Sequence, residues 1–212
     1  MAEDALKKEI QKLAAKVIEV QEEERKRISR NLHDDLGQNL YGHLITINLL
    51  QTEMDHPLIE QIKDEATHLI EQVREIAWEL RPAVLDDLGL VPAIRSFISR
   101  FKDFYQIDIH FNCKLKRRLP LIIDLTIYRI IQEALTNIRK YANVKESWIL
   151  IEEFPNKILV VIEDQGSGFH PEHVTKGVGM FSMEERTRAV DGHFQFQSSL
   201  GKGTKIIVEI PI

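Results

Sequence analysis

No proline interrupts the chain between Met1 and His56, and this absence constrains the fold more than any other feature of the sequence. A proline-free run of that length, with apolar residues on a helical period, reads as one long helix. Leu6, Ile10, Leu13, Val17 and Val20 recur at spacings of four and three, as in the seam of a short coiled coil. The stripe continues through Ile28, Leu32, Leu36, Leu40, Ile47 and Leu50. Nothing nearby in sequence could cover the seam, so a second copy of the chain is the expected partner. Met54-Asp55-His56-Pro57 ends the run. A second helix is expected over residues 58–80, with Ile59, Ile62, Ala66, Leu69, Val73, Ile76 and Leu80 on one face and Pro82 as its stop. Two such helices form a hairpin with one open apolar face, and two hairpins close a dimeric four-helix bundle.

The middle of the long helix, residues 24–38, reads ERKRISRNLHDDLGQ. On an α-helix, residues four apart share a face, so His33 would stand over Gly37 and Asp34 beside Gln38. A glycine inside a helix costs about 1 kcal/mol relative to alanine. The reason expected for Gly37 is access, since a bare patch lets a bulky partner reach the His33 ring. A histidine followed by two aspartates on a charged helix is most often solvated surface, so the pattern gains meaning only from the rest of the chain.

At 212 residues, 43% hydrophobic and 29% charged, the chain has room for one or two globular domains with a sizeable core. No apolar run approaches the roughly 18 residues of a membrane helix, and MAEDALKKEI lacks the apolar core of a signal peptide. A net charge of −5 argues against nucleic-acid binding, and the basic run at residues 114–118 is expected to be a solvated loop. The single cysteine, Cys113, forms no internal disulfide and suits a reducing cytosol. A cytoplasmic location is expected, as the core of a receptor attached to the membrane only through an N-terminal sensor region.

After the punctuated junction LRPAVLDDLGL (residues 80–90), helices and strands alternate. Helices are expected near residues 91–104, 122–141 and 182–190, and strands near 107–113, 147–153, 157–163, 193–198 and 204–210. Hairpins fall at Pro155-Asn156 and at Gly201-Lys202-Gly203. The pattern implies an α+β sandwich, one mixed sheet with helices over one face. The expected division is a coiled-coil lead-in at 1–22, a helical hairpin at 23–82, a junction and first helix at 83–106, and the remaining α+β domain at 107–212.

Three groups in this second half carry chemistry. Glu133 and Asn137 lie one turn apart on the flank of the helix whose apolar face is Ile127, Ile130, Ile131, Ala134, Leu135 and Ile138. Two oxygen donors so placed suit Mg²⁺ shared with substrate phosphates, and Lys140 on the same edge could meet a phosphate. Asp164-Gln165-Gly166-Ser167-Gly168 follows an apolar strand, where a carboxylate can accept from an exocyclic amine and glycines let backbone approach a flat ring. Gly177-Val178-Gly179-Met180 opens a helix whose free N–H groups favour phosphate. Ser182 and the lack of a leading strand exclude a dinucleotide fingerprint, and no Walker A sequence is present.

Taken in order and spacing, these motifs resemble the kinase core of bacterial two-component sensor histidine kinases. The likeness runs from about Glu22 to Ile212 and falls in the subfamily that partners regulators with helix-turn-helix outputs. It implies a HisKA_3-type dimerisation and phosphoacceptor hairpin followed by a Bergerat-type (GHKL) ATP-binding domain, the fold shared with gyrase and MutL. His33 would then be the phosphoacceptor, and Glu133 and Asn137 the metal residues. Asp164 would read the adenine amine, with Gly166 and Gly168 behind it. Gly177 and Gly179 would belong to the ATP lid, and Gly201, Gly203 and Thr204 to a closing turn. Asp34 and Gln38 match the family's D-x-x-x-Q phosphatase motif. Tyr141 stands where the family often has histidine, leaving a ring that can stack on the nucleotide, and Ser182 where the lid often has glycine. The resemblance implies ATP and Mg²⁺ as cofactors, autophosphorylation of His33, and transfer to an aspartate of a response regulator. Two rivals are a Bergerat-fold ATPase or serine kinase of the anti-sigma type, which needs no histidine, and a non-catalytic nucleotide-binding scaffold.

Overall fold

The computed structural model describes residues 2–80, 83–170 and 177–212, with backbone alone at residues 2–8, 10–12, 14, 15, 78, 79 and 83. The side chains of Leu6 and Ile10 in the expected seam, and Pro82 as the expected stop, therefore lie outside the described residues. The chain divides into two compact units, Val17–Ala83 and Val84–Ile212, the latter grouped with Met1–Lys16.

The long helix is present but is not α-helical throughout. α1 (Ala2–Asn31) runs into a π-helical stretch, Leu32–Gly37, and on into α2 (Gln38–Glu53). The stretch falls on the residues around His33. Bonding of the i→i+5 type widens the turn, so the four-residue spacing that set His33 over Gly37 does not govern this segment. It brings Gly37 against the Leu32 carbonyl, where an added Cβ would sit 3.3 Å from the oxygen. A side chain at Gly37 would thus be tight against the backbone, and a shift of a few tenths of an ångström would admit it.

At Met54 the backbone becomes extended. The His56 ring nitrogen and carbonyl then accept the N–H groups of Leu58 and Ile59 at 3.2 and 2.9 Å, capping α3 (Pro57–Leu80). Proline at the first helical position gives up only an N–H that would have no partner there. α2 and α3 pack side by side, Ser29 Oγ donates to the Ala77 carbonyl at 2.8 Å, and the Arg74 guanidinium lies over the Tyr41 ring. Ala66, Ile70 and Ala77 are buried between the helices. No residue of α2 is buried, and Ile45, Leu49, Leu50, Ile62, Leu69 and Ile76 are exposed. One hairpin alone leaves this apolar surface in water.

In the second unit, the junction expected to be a punctuated linker holds a short helix, α4 (Ala83–Leu88), and a turn at Gly89 leads into α5 (Leu90–Tyr105). Arg118 donates to the carbonyls of Asp86 and Asp87 at 3.1 and 3.4 Å, satisfying the last turn of α4. The Asp124 carboxylate accepts the N–H of Leu90 at the start of α5. The basic run is thus tied down: Lys114 pairs with Glu152, Arg117 with Glu153, and Arg118 with α4.

The sheet has the order β1-β2-β3-β5-β4. β1 (Asp108–Lys114) pairs parallel with β2 (Glu146–Glu153), whereas β3 (Lys157–Asp164), β5 (Thr204–Pro211) and β4 (His193–Ser198) complete it in antiparallel fashion. Alternation of β-branched residues sends Ile149, Ile151, Ile158, Val160, Ile162, Ile206, Val208 and Ile210 to one buried face. Against β3 packs α6 (Leu121–Asn137), which also meets α5 and α7 (Val178–Arg188). Every residue of α6 from Ile123 to Ile131 is buried, so it is a core helix; each large side chain such as Ile127 contributes about 1.5–3 kcal/mol. The expected mixed α+β sheet with helices on one face is observed. Two boundaries move: α6 gives way to a π-helical stretch at Ile138–Ala142, and α7 starts at Val178 rather than near Ser182.

Candidate functional site: a cavity at the end of the sheet and an exposed histidine

A cavity of about 630 Å³ opens at the end of the sheet where β3 stops and β5 begins, under α6 and the first turn of α7. Its volume falls within the usual range for small-molecule sites, about 300–1,000 Å³. Glu133 and Asn137 enter from α6, Lys140 and Tyr141 from the π-helical stretch, Asp164 from the last position of β3, and Thr204 from the first position of β5. Gly168, Gly177 and Gly179 complete the expected residues on its wall. Gly166 is not on the wall; it lies behind, where a Cβ would run into the Ala142 carbonyl.

Strand register makes this convergence possible. Asp164 pairs with Thr204 on β5 and with Ser147 on β2, so the three side chains lie in one row on the core-facing side. Asp164 is only 5% exposed. Burial pushes its carboxyl up from the ordinary carboxylate range, opposed by the backbone N–H groups of Gly166 and Thr204. The Gly166 N–H donates to Oδ1 at 2.9 Å. Gly203 (φ +77°) turns the chain into β5 and lies against the Asp164 carbonyl, which excludes a side chain twice over, by conformation and by space.

Ser198 Oγ accepts the Phe169 N–H at 2.9 Å and donates to the Gly203 carbonyl at 3.0 Å. Thr204 Oγ1 lies 3.0 Å from Ser198 Oγ, and its hydroxyl can donate there while Ser198 donates to Gly203. On the opposite wall, Gly177 precedes α7, and the first-turn amides of Val178, Gly179 and Met180 lack intrahelical partners beside the opening. A Cβ on Gly179 would collide with the Glu133 carboxylate, so α7 and α6 meet there without a side chain between them.

Sequence patterns missed the apolar part of the wall, chiefly Ile162, Ile206 and Met180. Two of these were within reach: Ile162 lies two residues before Asp164 and Ile206 two after Thr204, the spacing that keeps a strand residue on the same face.

His33, Asp34 and Gln38 belong to the other unit and form a separate candidate site. All three are exposed. His33 Nδ1 lies 2.9 Å from Asp34 Oδ1, in side chains that are 75% and 64% accessible. The neighbouring carboxylate favours the tautomer with its proton on Nδ1, leaving Nε2 unprotonated and open to solvent.

The donor set of the cavity fits a metal–nucleotide complex. Among the described residues, no group of three or more His, Cys, Asp or Glu could hold a metal ion. Glu133 and Asn137 offer two oxygen donors, so an octahedral ion there would draw its other ligands from phosphate and water.

Residues 24–85 match the family model described as histidine kinase, HisKA_3, and residues 123–212 match the model described as histidine kinase-, DNA gyrase B-, and HSP90-like ATPase. The oxygen sensor histidine kinase NreB of Staphylococcus carnosus is 36% identical over 208 residues, covering 95% of this chain. The chain spans 60% of the length of that relative. Among solved structures, the histidine kinase domain of a blue-light activated histidine kinase from Erythrobacter litoralis has a TM-score of 0.53 at 15% identity, covering 84% of this chain and 94% of that domain. A longer structure of the same kinase has a TM-score of 0.52 at 15% identity, covering 87% of this chain and 59% of its own. At that identity the two structures bear on the fold alone. No helix among the described residues is long and apolar enough to cross a membrane.

Proposed function

The chain belongs to the two-component sensor histidine kinases of the HisKA_3 group, and from that premise we propose that it autophosphorylates His33 with Mg-ATP and passes the phosphoryl group to an aspartate of a response regulator. The observation that carries the proposal is the convergence of Glu133, Asn137 and Asp164 on one cavity in a chain that also exposes His33 beside Asp34.

In this proposal, Asp164 accepts a hydrogen bond from the adenine 6-amino group, while Ile162 and Ile206 pack along the base. Tyr141 stacks at the edge of the opening. The first-turn amides of α7 and Lys140 receive phosphate oxygens. Glu133 and Asn137 would hold Mg²⁺, which when bound would neutralise phosphate charge. At His33, Nε2 attacks the γ-phosphorus, the bond to the β–γ bridging oxygen breaks, and ADP leaves. Asp34 holds the Nδ1 proton and stabilises the positive charge that grows on the ring.

Dimerisation through the hairpin is part of the same proposal, supported by the exposed apolar residues of α2 and α3. Asp34 and Gln38 are further proposed to orient water against a phosphorylated regulator. Any attachment to a membrane is proposed to run through an N-terminal sensor region, and the net charge of −5 disfavours direct contact with nucleic acid.

Calorimetric titration with Mg-ADP tests the nucleotide half. Wild-type protein is expected to bind, and Asp164→Asn to bind at least about tenfold more weakly, because a charged hydrogen-bond acceptor is lost. Equal binding by the two proteins would remove the base-reading role of Asp164.

A further inference from the structure

Ser147 is fully buried, and its Oγ has no hydrogen-bond partner among the described residues. A buried hydroxyl without a partner costs about as much as a lost hydrogen bond, so its position on a strand otherwise lined by isoleucine calls for a physical reason. The register supplies one. On β2, Ser147 is followed on the same face by Ile149; across β1 its partner is Ile109, and across β3 its partner is Asp164. Asp164 is therefore the one polar side chain among these in-register neighbours, and directly opposed residues hold their Cβ atoms about 4.5–5.5 Å apart. Rotation about χ1 alone brings a serine hydroxyl within hydrogen-bond reach of a carboxylate at that separation. The Gly166 amide donates to Asp164 Oδ1 and the Thr204 amide also bonds the carboxylate, whose two oxygens offer about four lone-pair sites and so retain capacity for a further donor.

We propose that Ser147 is a positioning residue for the nucleotide base, its hydroxyl donating to the Asp164 carboxylate when nucleotide is bound and fixing the oxygen that meets the adenine amine. The inference rests on the nucleotide site proposed above. Ser147 touches neither the cavity wall nor the reacting atoms; it acts through Asp164 alone. A donor aimed at the ionised carboxylate also favours that form against the burial that opposes it. The charged groups around Asp164 are Glu163 on its own strand and, across the cavity, Glu133 and Lys140. β2 and β5 present only Ser147 and Thr204 at this level.

The test compares ADP with purine riboside 5′-diphosphate, which lacks only the 6-amino group, by calorimetry on the whole chain with Mg²⁺. Ser147→Ala removes one buried oxygen and is expected to fold normally. It should weaken ADP binding roughly five- to tenfold and leave the 6-desamino nucleotide within about twofold. Its ADP affinity should also start to fall at a higher pH than wild type as the solution is acidified. In an Asp164→Asn background the same change should have no further effect. Equal loss for both nucleotides would mean a merely structural role, and wild-type ADP affinity in Ser147→Ala would mean no role; either overturns the inference while leaving the site intact. If Asp164→Asn itself binds ADP as wild type does, the site assignment fails and the inference fails with it.

Discussion

The Nδ1 atom of His33 lies 2.9 Å from Oδ1 of the next residue, Asp34. Adjacent residues on an α-helix point about 100° apart and rarely meet. Here the contact falls inside a π-helical stretch, Leu32–Gly37. It gives the two ring nitrogens different surroundings, with Nδ1 beside the carboxylate and Nε2 open to solvent.

Asp34→Asn keeps the size of the side chain but removes its charge and lets the amide favour the wrong tautomer. Autophosphorylation is expected to slow by about a hundredfold or more, with nucleotide affinity unchanged. Initial rates of label uptake from γ-labelled ATP at saturating nucleotide measure this. A rate within threefold of wild type would show that the pairing does not serve the reaction.

Gln38 follows the π-helical stretch directly and is exposed. Gln38→Ala should leave autophosphorylation near the wild-type rate and slow dephosphorylation of a phosphorylated regulator about tenfold or more. Following loss of regulator phosphate with and without the kinase provides the comparison, and an unchanged rate would remove Gln38 from the phosphatase role.

A Cβ on Gly179 would meet the tip of the Glu133 side chain, a flexible carboxylate that can swing aside. Gly179→Ala is therefore expected to displace the Glu133 carboxylate from the metal position proposed for it, and Mg-ATP affinity should fall about tenfold or more while the thermal transition moves little. A variant that binds nucleotide as wild type does would show that the Glu133 carboxylate need not hold that position.

Asp124, 2% exposed, has a carboxyl that burial pushes from the ordinary 3.8 to about 6, despite the nearby Arg118 and the Leu90 N–H. Because the folded state holds this proton more tightly than the unfolded chain, stability falls as pH rises from about 4 to about 6. The effect is on the order of 2–3 kcal/mol. Asp124→Asn removes it, so the stability difference between variant and wild type should grow in favour of the variant over that window. Urea midpoints at pH 4, 5, 6 and 7 test the sign; a constant difference would mean Asp124 titrates normally.

Much of this architecture was legible because the chain is punctuated. Proline and glycine at Pro57, Pro155-Asn156 and Gly201–Gly203 mark real turns, and alternation in Ile158–Asp164 marks a real strand that delivers Asp164 to the cavity. What escaped had no periodic signature. A π-helical stretch six residues long shifts the hydrophobic stripe too little to stand out, so Gly37 was explained by access before its contact with the Leu32 carbonyl was visible. α4 was hidden between Pro82 and Gly89, and it depends on Arg118, about thirty residues later, for its last carbonyls. The placement of Ser147 opposite Asp164 needed the strand register, and hydrophobic pattern alone cannot supply that.

The central claim is that His33 Nε2 receives the γ-phosphoryl group. Incubating the protein with γ-labelled ATP and Mg²⁺, then mapping the modified residue by mass spectrometry at alkaline pH, tests it most directly. The account predicts acid-labile, base-stable phosphate on His33 and none in His33→Gln, which should still bind nucleotide. Phosphate on any other residue, or equal labelling of His33→Gln, would contradict it.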